Sequence, residues 1–136
     1  MVRIDIAYKG QLHCEAVHGP SGDTVETDAP KDNMGKGEAF SPTDLVATAF
    51  GSCVLTIMGI VAGRRGLDLA GAHATVVKEM VSAPVRRIGR LTLEMHLPSA
   101  IGEEDRAFFR RAAETCPVLK SLHPDVETPI AFHWDV

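Results

Sequence analysis

Two cysteines, Cys53 and Cys116, are the residues of this sequence best suited to chemistry. Cys53 lies in the uncharged stretch from Leu45 to Gly63, and Cys116 directly precedes Pro117. Because a thiolate is a nucleophile, two cysteines that meet in the folded chain could support oxidation and disulfide exchange. Each also has a plain structural interpretation, Cys53 as a packing residue among small neighbours and Cys116 as an inert thiol before a proline.

A long helix is predicted over residues 41–66, with Cys53 near its middle. Ser41 suits the N-cap and Pro42 the first helical position, where a missing N–H is harmless. Because this helix is apolar on nearly every face, it must be covered around its whole circumference. A membrane span is one way to cover it. The small and polar residues inside the helix, and the lack of a second span, favour instead a core helix covered by a sheet and a second copy of the chain.

The approach to this helix and the region of Cys116 add two local expectations. The glycine-rich loop before the helix contains Lys31 and Lys36, which could line an active site or simply belong to a solvated connection. Pro117 predicts a short helix with Cys116 at its cap, where the helix dipole would lower the pKa of the thiol.

The remaining pattern predicts an α+β fold with an antiparallel sheet beside the long central helix and the order β-β-β-α-β-β-α-(α)-β. Alternating apolar and polar residues predict strands at residues 2–9, 12–18, 24–28, 70–83, 88–98 and 126–136, and helical spacing predicts a second helix at 103–115. We expect a single domain over residues 1–136. Its parts are the N-terminal strands with the approach loop (1–40), the central helix (41–66), a strand pair (69–98), and the second helix, short helix and last strand (103–136).

Composition excludes several classes of function. The net charge of −4 argues against a nucleic-acid partner. The alternating, charged N-terminus is not a signal peptide, so we expect a cytoplasmic protein with reduced thiols. Cys14 is expected to pack as a small buried hydrophobe. The six histidines show no ligand spacing and there is no C-x-x-C motif, which predicts no metal site.

The stretches SPTDLVATAFGSC and ETCPVLKSL together resemble the OsmC/Ohr superfamily of cysteine-based peroxide reductases. The resemblance covers nearly the whole chain. It implies an OsmC-like α+β fold and an intertwined homodimer with the long helices at its centre. It also implies that Cys53 is the peroxidatic cysteine and Cys116 the resolving cysteine.

The chemistry that this resemblance implies needs no metal or organic cofactor, only an external dithiol reductant. The Cys53 thiolate attacks an organic hydroperoxide and becomes a sulfenic acid, which Cys116 converts to a disulfide. Hydrogen peroxide is expected to be a poorer substrate, because an apolar pocket lined by Leu45, Phe50, Val54 and Ile57 would favour alkyl hydroperoxides.

The sequence departs from the family pattern at the groups that would hold the thiolate. The family glutamate is replaced by Thr43, with Asp44 next to it as a possible substitute acid, and the approach loop offers Lys31 and Lys36 rather than an arginine. Lysine lacks the bidentate fork of arginine, so a clamp built from it would be looser. Two other functions therefore stay open: a dimeric module that binds a small apolar ligand, and a general thiol–disulfide exchanger.

Overall fold

The computed structural model describes residues 1–136. The order of its elements is the predicted one, with a short 3₁₀ helix added at Lys31–Asn33. The strands are β1 (Ile4–Gly10), β2 (His13–His18), β3 (Thr24–Asp28), β4 (His73–Val81), β5 (Arg87–Leu97) and β6 (Ile130–Trp134), and the helices are α1 (Pro42–Arg65), α2 (Glu103–Ala113) and α3 (Pro117–Ser121). The chain divides into two compact units, Met1–Val46 and Ala47–Val136.

The first unit is an antiparallel sheet in the order β1-β2-β3, followed by the approach loop and the first turn of α1. The apolar side chains of β1 are predicted to share one face, and within this chain that face is open. Ile4, Ile6 and Tyr8 are 57%, 70% and 66% exposed. Cys14 in β2 is half-buried rather than fully buried. The sheet therefore has little core of its own on this side.

The approach loop is fastened to the end of β3 through Asp28. The backbone N–H of Asp28 donates to the carbonyl of Phe40, and its carboxylate accepts the N–H of Glu38 at 3.0 Å. Across the β2–β3 ladder, His13 lies opposite Asp28, with Nδ1 2.7 Å from Oδ1. These contacts hold the two ends of the loop together, since the buried residue Asp28 at its start binds Glu38 and Phe40 at its end.

The start of α1 is a reciprocal cap between Ser41 and Asp44. The Asp44 N–H donates to Ser41 Oγ at 3.1 Å, and the Ser41 N–H donates to the Asp44 carboxylate at 2.9 Å. This capping box satisfies two backbone donors at once. It confirms the predicted beginning of the helix.

The second unit places α1 and α2 against a sheet in the order β4-β5-β6. The predicted alternation of β5 is confirmed, because Leu91, Leu93, Met95 and Leu97 all have no exposed surface. The predicted antiparallel pairing is confirmed for β4 and β5, but it is wrong for the last strand, because β6 runs parallel to β5. The parallel pairing follows from the crossover through α2 and α3, which returns the chain to the end of the sheet where β5 begins.

Only one side of α1 is buried within this chain. Phe50, Val54 and Met58 have no exposed surface and pack into the core of the second unit. The opposite side, which carries Ser52, Thr56, Gly59, Ile60 and Gly63, is exposed. By length and composition α1 could also cross a membrane, with 33% of its most apolar window buried. This exposed side agrees with the sequence-based expectation that the sheet of one chain does not cover the whole circumference of α1.

Gly51 allows α1 to approach β4 closely. A Cβ atom at this position would lie 2.7 Å from Cγ2 of Val76. We expect Gly51→Ala to lower the free energy of unfolding by about 1 kcal/mol net, since overpacking costs about 1–3 kcal/mol and the gain in helix propensity is about 1 kcal/mol. Urea denaturation followed by circular dichroism measures the change. The neighbouring exposed substitution Ser52→Ala is the control, and equal stabilities of the two variants would contradict the packing argument.

The His13–Asp28 pair predicts a pH-dependent contribution to stability. The hydrogen bond that His13 donates to the Asp28 carboxylate raises the pKa of His13 above 6.5 and lowers the pKa of Asp28 below 3.8. The contribution of His13 is complete below its unfolded pKa and is lost as pH rises through its raised folded pKa, whereas that of Asp28 is lost as pH falls through its lowered folded pKa. The ion pair therefore stabilises most between these limits.

We expect His13→Gln to destabilise the protein most near about pH 5.5 and less at about pH 8.5. Thermal unfolding across this pH range measures the difference from the unsubstituted protein. His123→Gln, which replaces an exposed histidine, corrects for general effects of losing an imidazole. A difference that grows toward alkaline pH would refute the assignment.

Candidate thiol site

Cys53 lies on α1 at the edge of the buried side of the helix. It is half-buried and packs against the core cluster that contains Phe50 and Val54. Because neighbouring turns of α1 are held by these buried side chains, the position of the Cys53 sulfur is fixed by the packing of the helix on the sheet. Part of the residue remains accessible in this chain.

Cys116 lies at the break between α2 and α3 and has no exposed surface. It is the N-cap of α3, with its Sγ accepting the N–H of Leu119 at 3.4 Å and Pro117 in the first turn. The predicted cap is confirmed. The chain direction changes here, and the thiol points into the core rather than into solvent.

The fold brings the two thiols together. A side-chain hydrogen bond with Cys53 contributes to the raised pKa of Cys116, which places the two thiols in contact although the residues belong to different helices. All three cysteines are free thiols, and Cys14 lies in the first unit on β2. The sequence singled out Cys53 and Cys116 separately, and the tertiary structure makes them one site.

The pKa of Cys116 is raised above 9.0, which corrects the lowering expected from its place at a helix cap. Burial of the sulfur is the largest cause, and the hydrogen bond with Cys53 is the next. The N–H of Leu119 acts in the opposite direction but is outweighed. The dipole of a five-residue helix is too small to overcome the desolvation of a thiolate.

This arrangement gives the two thiols different properties. Cys116 is the buried partner that keeps its proton, and its S–H can donate to the sulfur of Cys53. Cys53 is the partner that reaches the surface. Cys53 is therefore the more accessible of the two thiols.

The other residues expected at the site are placed as follows. Asp44 is engaged in the capping box with Ser41, and Thr43 Oγ1 lies 3.2 Å from Ser41 Oγ. The ammonium group of Lys36 donates to Oε1 of Gln11 at 2.6 Å, and Lys31 begins the 3₁₀ helix. Their roles toward a thiolate stay predictions.

The four apolar residues that were predicted to line a substrate pocket differ in burial, and two of them have no surface open to a pocket. Phe50 and Val54 have no exposed surface, whereas Leu45 and Ile57 are half-buried. Phe50 and Val54 thus serve the core of the second unit in this chain. Contact of these four residues with a substrate stays a prediction.

A groove of about 520 Å³ lies beside the turn that caps Cys116. Leu119, whose N–H contacts the Cys116 sulfur, is one of its walls. The groove is lined by Arg110, Glu114, Leu119, Thr128, Ile130 and Phe132. Sequence reasoning did not find it, because its walls come from α2, α3 and β6, which meet only in the folded chain.

The structure also contains a second cluster of side chains that could bind a ligand, which the sequence analysis did not predict. The ligand atoms of Glu94, His96 and His133 lie within 4.8 Å of one another. The alternation of β5 and β6 predicts that these three residues lie on a polar face. The spacing of residues within one strand does not, however, predict the register between two strands.

Comparison with known proteins agrees with the fold and the thiol motifs. The sequence model of the family described as OsmC-like protein matches residues 35–130, which include both cysteines. No curated protein sequence matches the chain.

Three solved structures are similar over nearly their full length. A Psychrobacter arcticus protein, described as an osmotic stress induced and detoxification response protein, is 42% identical, with 98% of this chain and 96% of that chain covered and a TM-score of 0.92. The organic hydroperoxide resistance protein OsmC of Legionella pneumophila is 17% identical, with 98% and 96% covered and a TM-score of 0.79. The organic hydroperoxide resistance protein OhrB of Bacillus subtilis is 16% identical, with 97% of each chain covered and a TM-score of 0.69.

The match over residues 35–130, the α+β architecture and the two-cysteine pattern together identify this chain as a member of the OsmC-like family.

Proposed function

We propose that the protein is a thiol-dependent peroxidase that reduces organic hydroperoxides in a stress response. The contact between a partly exposed Cys53 and a buried Cys116, whose pKa is raised, is the observation that carries this proposal. Structural neighbours named for organic hydroperoxide resistance, and a relative described by detoxification, support the same role.

In the proposed reaction, the Cys53 thiolate attacks the terminal oxygen of the hydroperoxide. The O–O bond breaks, an alcohol leaves after protonation, and Cys53 becomes a sulfenic acid. Cys116 then attacks that sulfur, water leaves, and a Cys53–Cys116 disulfide forms. An external dithiol restores both thiols by exchange and is itself oxidised to a disulfide.

The raised pKa of Cys116 supports this division of roles. A buried thiol that stays protonated does not compete with Cys53 for the peroxide, because the thiolate is the reactive form. Its contact with Cys53 means that the second step needs little movement. The groove beside Leu119 offers apolar surface from Ile130 and Phe132 to the alkyl part of a substrate.

A homodimer is proposed as the working form of this site. The exposed side of α1 includes Ile60 at 49% exposure, and the open face of β1 carries three large apolar side chains. A second copy of the chain would cover such surfaces. The arrangement that the family resemblance implies, with long helices packed at the centre, fits the small side chains that line the open side of α1.

Stoichiometric oxidation tests the thiol chemistry. Reduced protein mixed with one equivalent of cumene hydroperoxide is expected to lose about 2 Da within seconds, with the disulfide mapped to Cys53–Cys116. Cys53→Ser should abolish peroxide consumption. Cys116→Ser should allow one oxidation without turnover, and dimedone should trap its sulfenic acid.

Cys14→Ser is the matched control and should retain turnover, since the proposed reaction uses only the thiols of Cys53 and Cys116. Persistence of free thiols after minutes of exposure to peroxide would reject the peroxidase. A small apolar molecule bound by the native protein would then favour the ligand-binding alternative.

Oligomeric state is tested separately by size exclusion with light scattering. The native protein is expected to have twice the chain mass of 14.6 kDa. Ile60→Glu should shift it toward the monomer, because a charge on the covered side of α1 would be desolvated in the dimer. Val85→Glu, at a residue 62% exposed in the β4–β5 turn, is the control and should stay dimeric. A monomeric native protein would refute the dimer.

A further inference from the structure

Three histidines form a row across the second sheet. His73 on β4 pairs with His96 on β5, and His96 pairs with His133 on β6. Their rings stack in order, with centroid distances of 4.6 Å and 4.7 Å. Residues paired across neighbouring strands lie on the same face of a sheet, so this row is a product of register.

This row lies on the sheet face away from the thiol site. Leu93, Met95 and Leu97 on β5 belong to the core that also contains Cys116. Because successive side chains of a strand point to opposite faces, Glu94 and His96 lie on the other face. The cluster is therefore a separate feature from the cysteine pair.

The donor set of this cluster suits a transition metal. Glu94, His96 and His133 each offer a ligand atom, and the three atoms lie within 4.8 Å of one another. Two imidazoles and one carboxylate, with an open position for water, form a donor set that zinc and non-haem iron accept. Ligand atoms at about 2.0–2.2 Å from one tetrahedral ion lie about 3.3–3.6 Å apart, so atoms that are 4.8 Å apart would have to approach by about 1.2–1.5 Å through side-chain rotation.

Two further observations point to an ion at this place. Nε2 of His133 is buried and has no hydrogen-bond partner, although a buried polar atom is ordinarily satisfied. Nδ1 of His96 lies 3.0 Å from both carboxylate oxygens of Asp135. A carboxylate that holds one ring nitrogen as an N–H leaves the lone pair of the other nitrogen available, as in many metal-bound histidines.

We propose that Glu94, His96 and His133 bind one divalent transition-metal ion of the zinc class, with Asp135 orienting the ring of His96. The ring of His73 stacks on the ring of His96. The site has an open coordination position at the sheet surface, where Glu94 is exposed. It does not depend on the peroxidase proposal, since the two sites occupy opposite faces of the sheet.

Calorimetric titration of metal-free, reduced protein with Zn²⁺ tests the proposal. To keep the cysteines from binding the ion, the titration uses protein that carries Cys14→Ser, Cys53→Ser and Cys116→Ser. We expect one equivalent bound at micromolar affinity or tighter. Glu94→Gln and His133→Gln should each weaken binding at least tenfold, and Asp135→Asn should weaken it about 10- to 100-fold. His123→Gln, at an exposed histidine outside the cluster, should leave binding unchanged.

Cobalt substitution in the protein with all cysteines present gives an independent readout. Co²⁺ should produce visible d–d absorption without the near-ultraviolet charge-transfer band of a thiolate ligand. Absence of binding would overturn the proposal, and so would a thiolate band on Co²⁺. Unchanged Zn²⁺ affinity in the exposed variant Glu94→Gln, which should fold normally, would overturn it as well.

Discussion

The packing of one side of α1 against the sheet β4-β5-β6 is the constraint on which the rest of the second unit depends. Phe50, Val54 and Met58 are fully buried there, and burial of each such side chain contributes about 1.5–3 kcal/mol. The close approach of Gly51 to Val76 fixes the distance between helix and strand. Because Cys53 lies on the same helix, this packing also determines where its sulfur can be.

The same core also determines the protonation of the thiol pair. The environment that stabilises apolar side chains disfavours a thiolate at Cys116, so burial outweighs the local hydrogen bond from Leu119. The helix cap holds the sulfur in place without ionising it. One sulfur is thus held protonated inside the core while its neighbour reaches the surface, a division that follows from position and not from residue type.

Strand β5 connects the two chemically capable parts of the second unit. Its even alternation sends Leu91, Leu93, Met95 and Leu97 into the core and places Glu94 and His96 on the opposite face. A one-residue slip in register would exchange these two sets. The same hydrophobic burial that stabilises the thiol site therefore also holds the histidine row in alignment.

The amino-acid sequence by itself determined the order of elements, the cap at Ser41 and the alternation of β5, since each is encoded by neighbours within a few residues. It also indicated Cys53 and Cys116 through motifs. Only the tertiary structure decided that the Cys116 pKa rises, that β6 pairs parallel to β5, and that His133 lies beside His96. Desolvation and strand register arise from contacts between segments far apart in the chain, so the spacing of residues within one segment does not predict them.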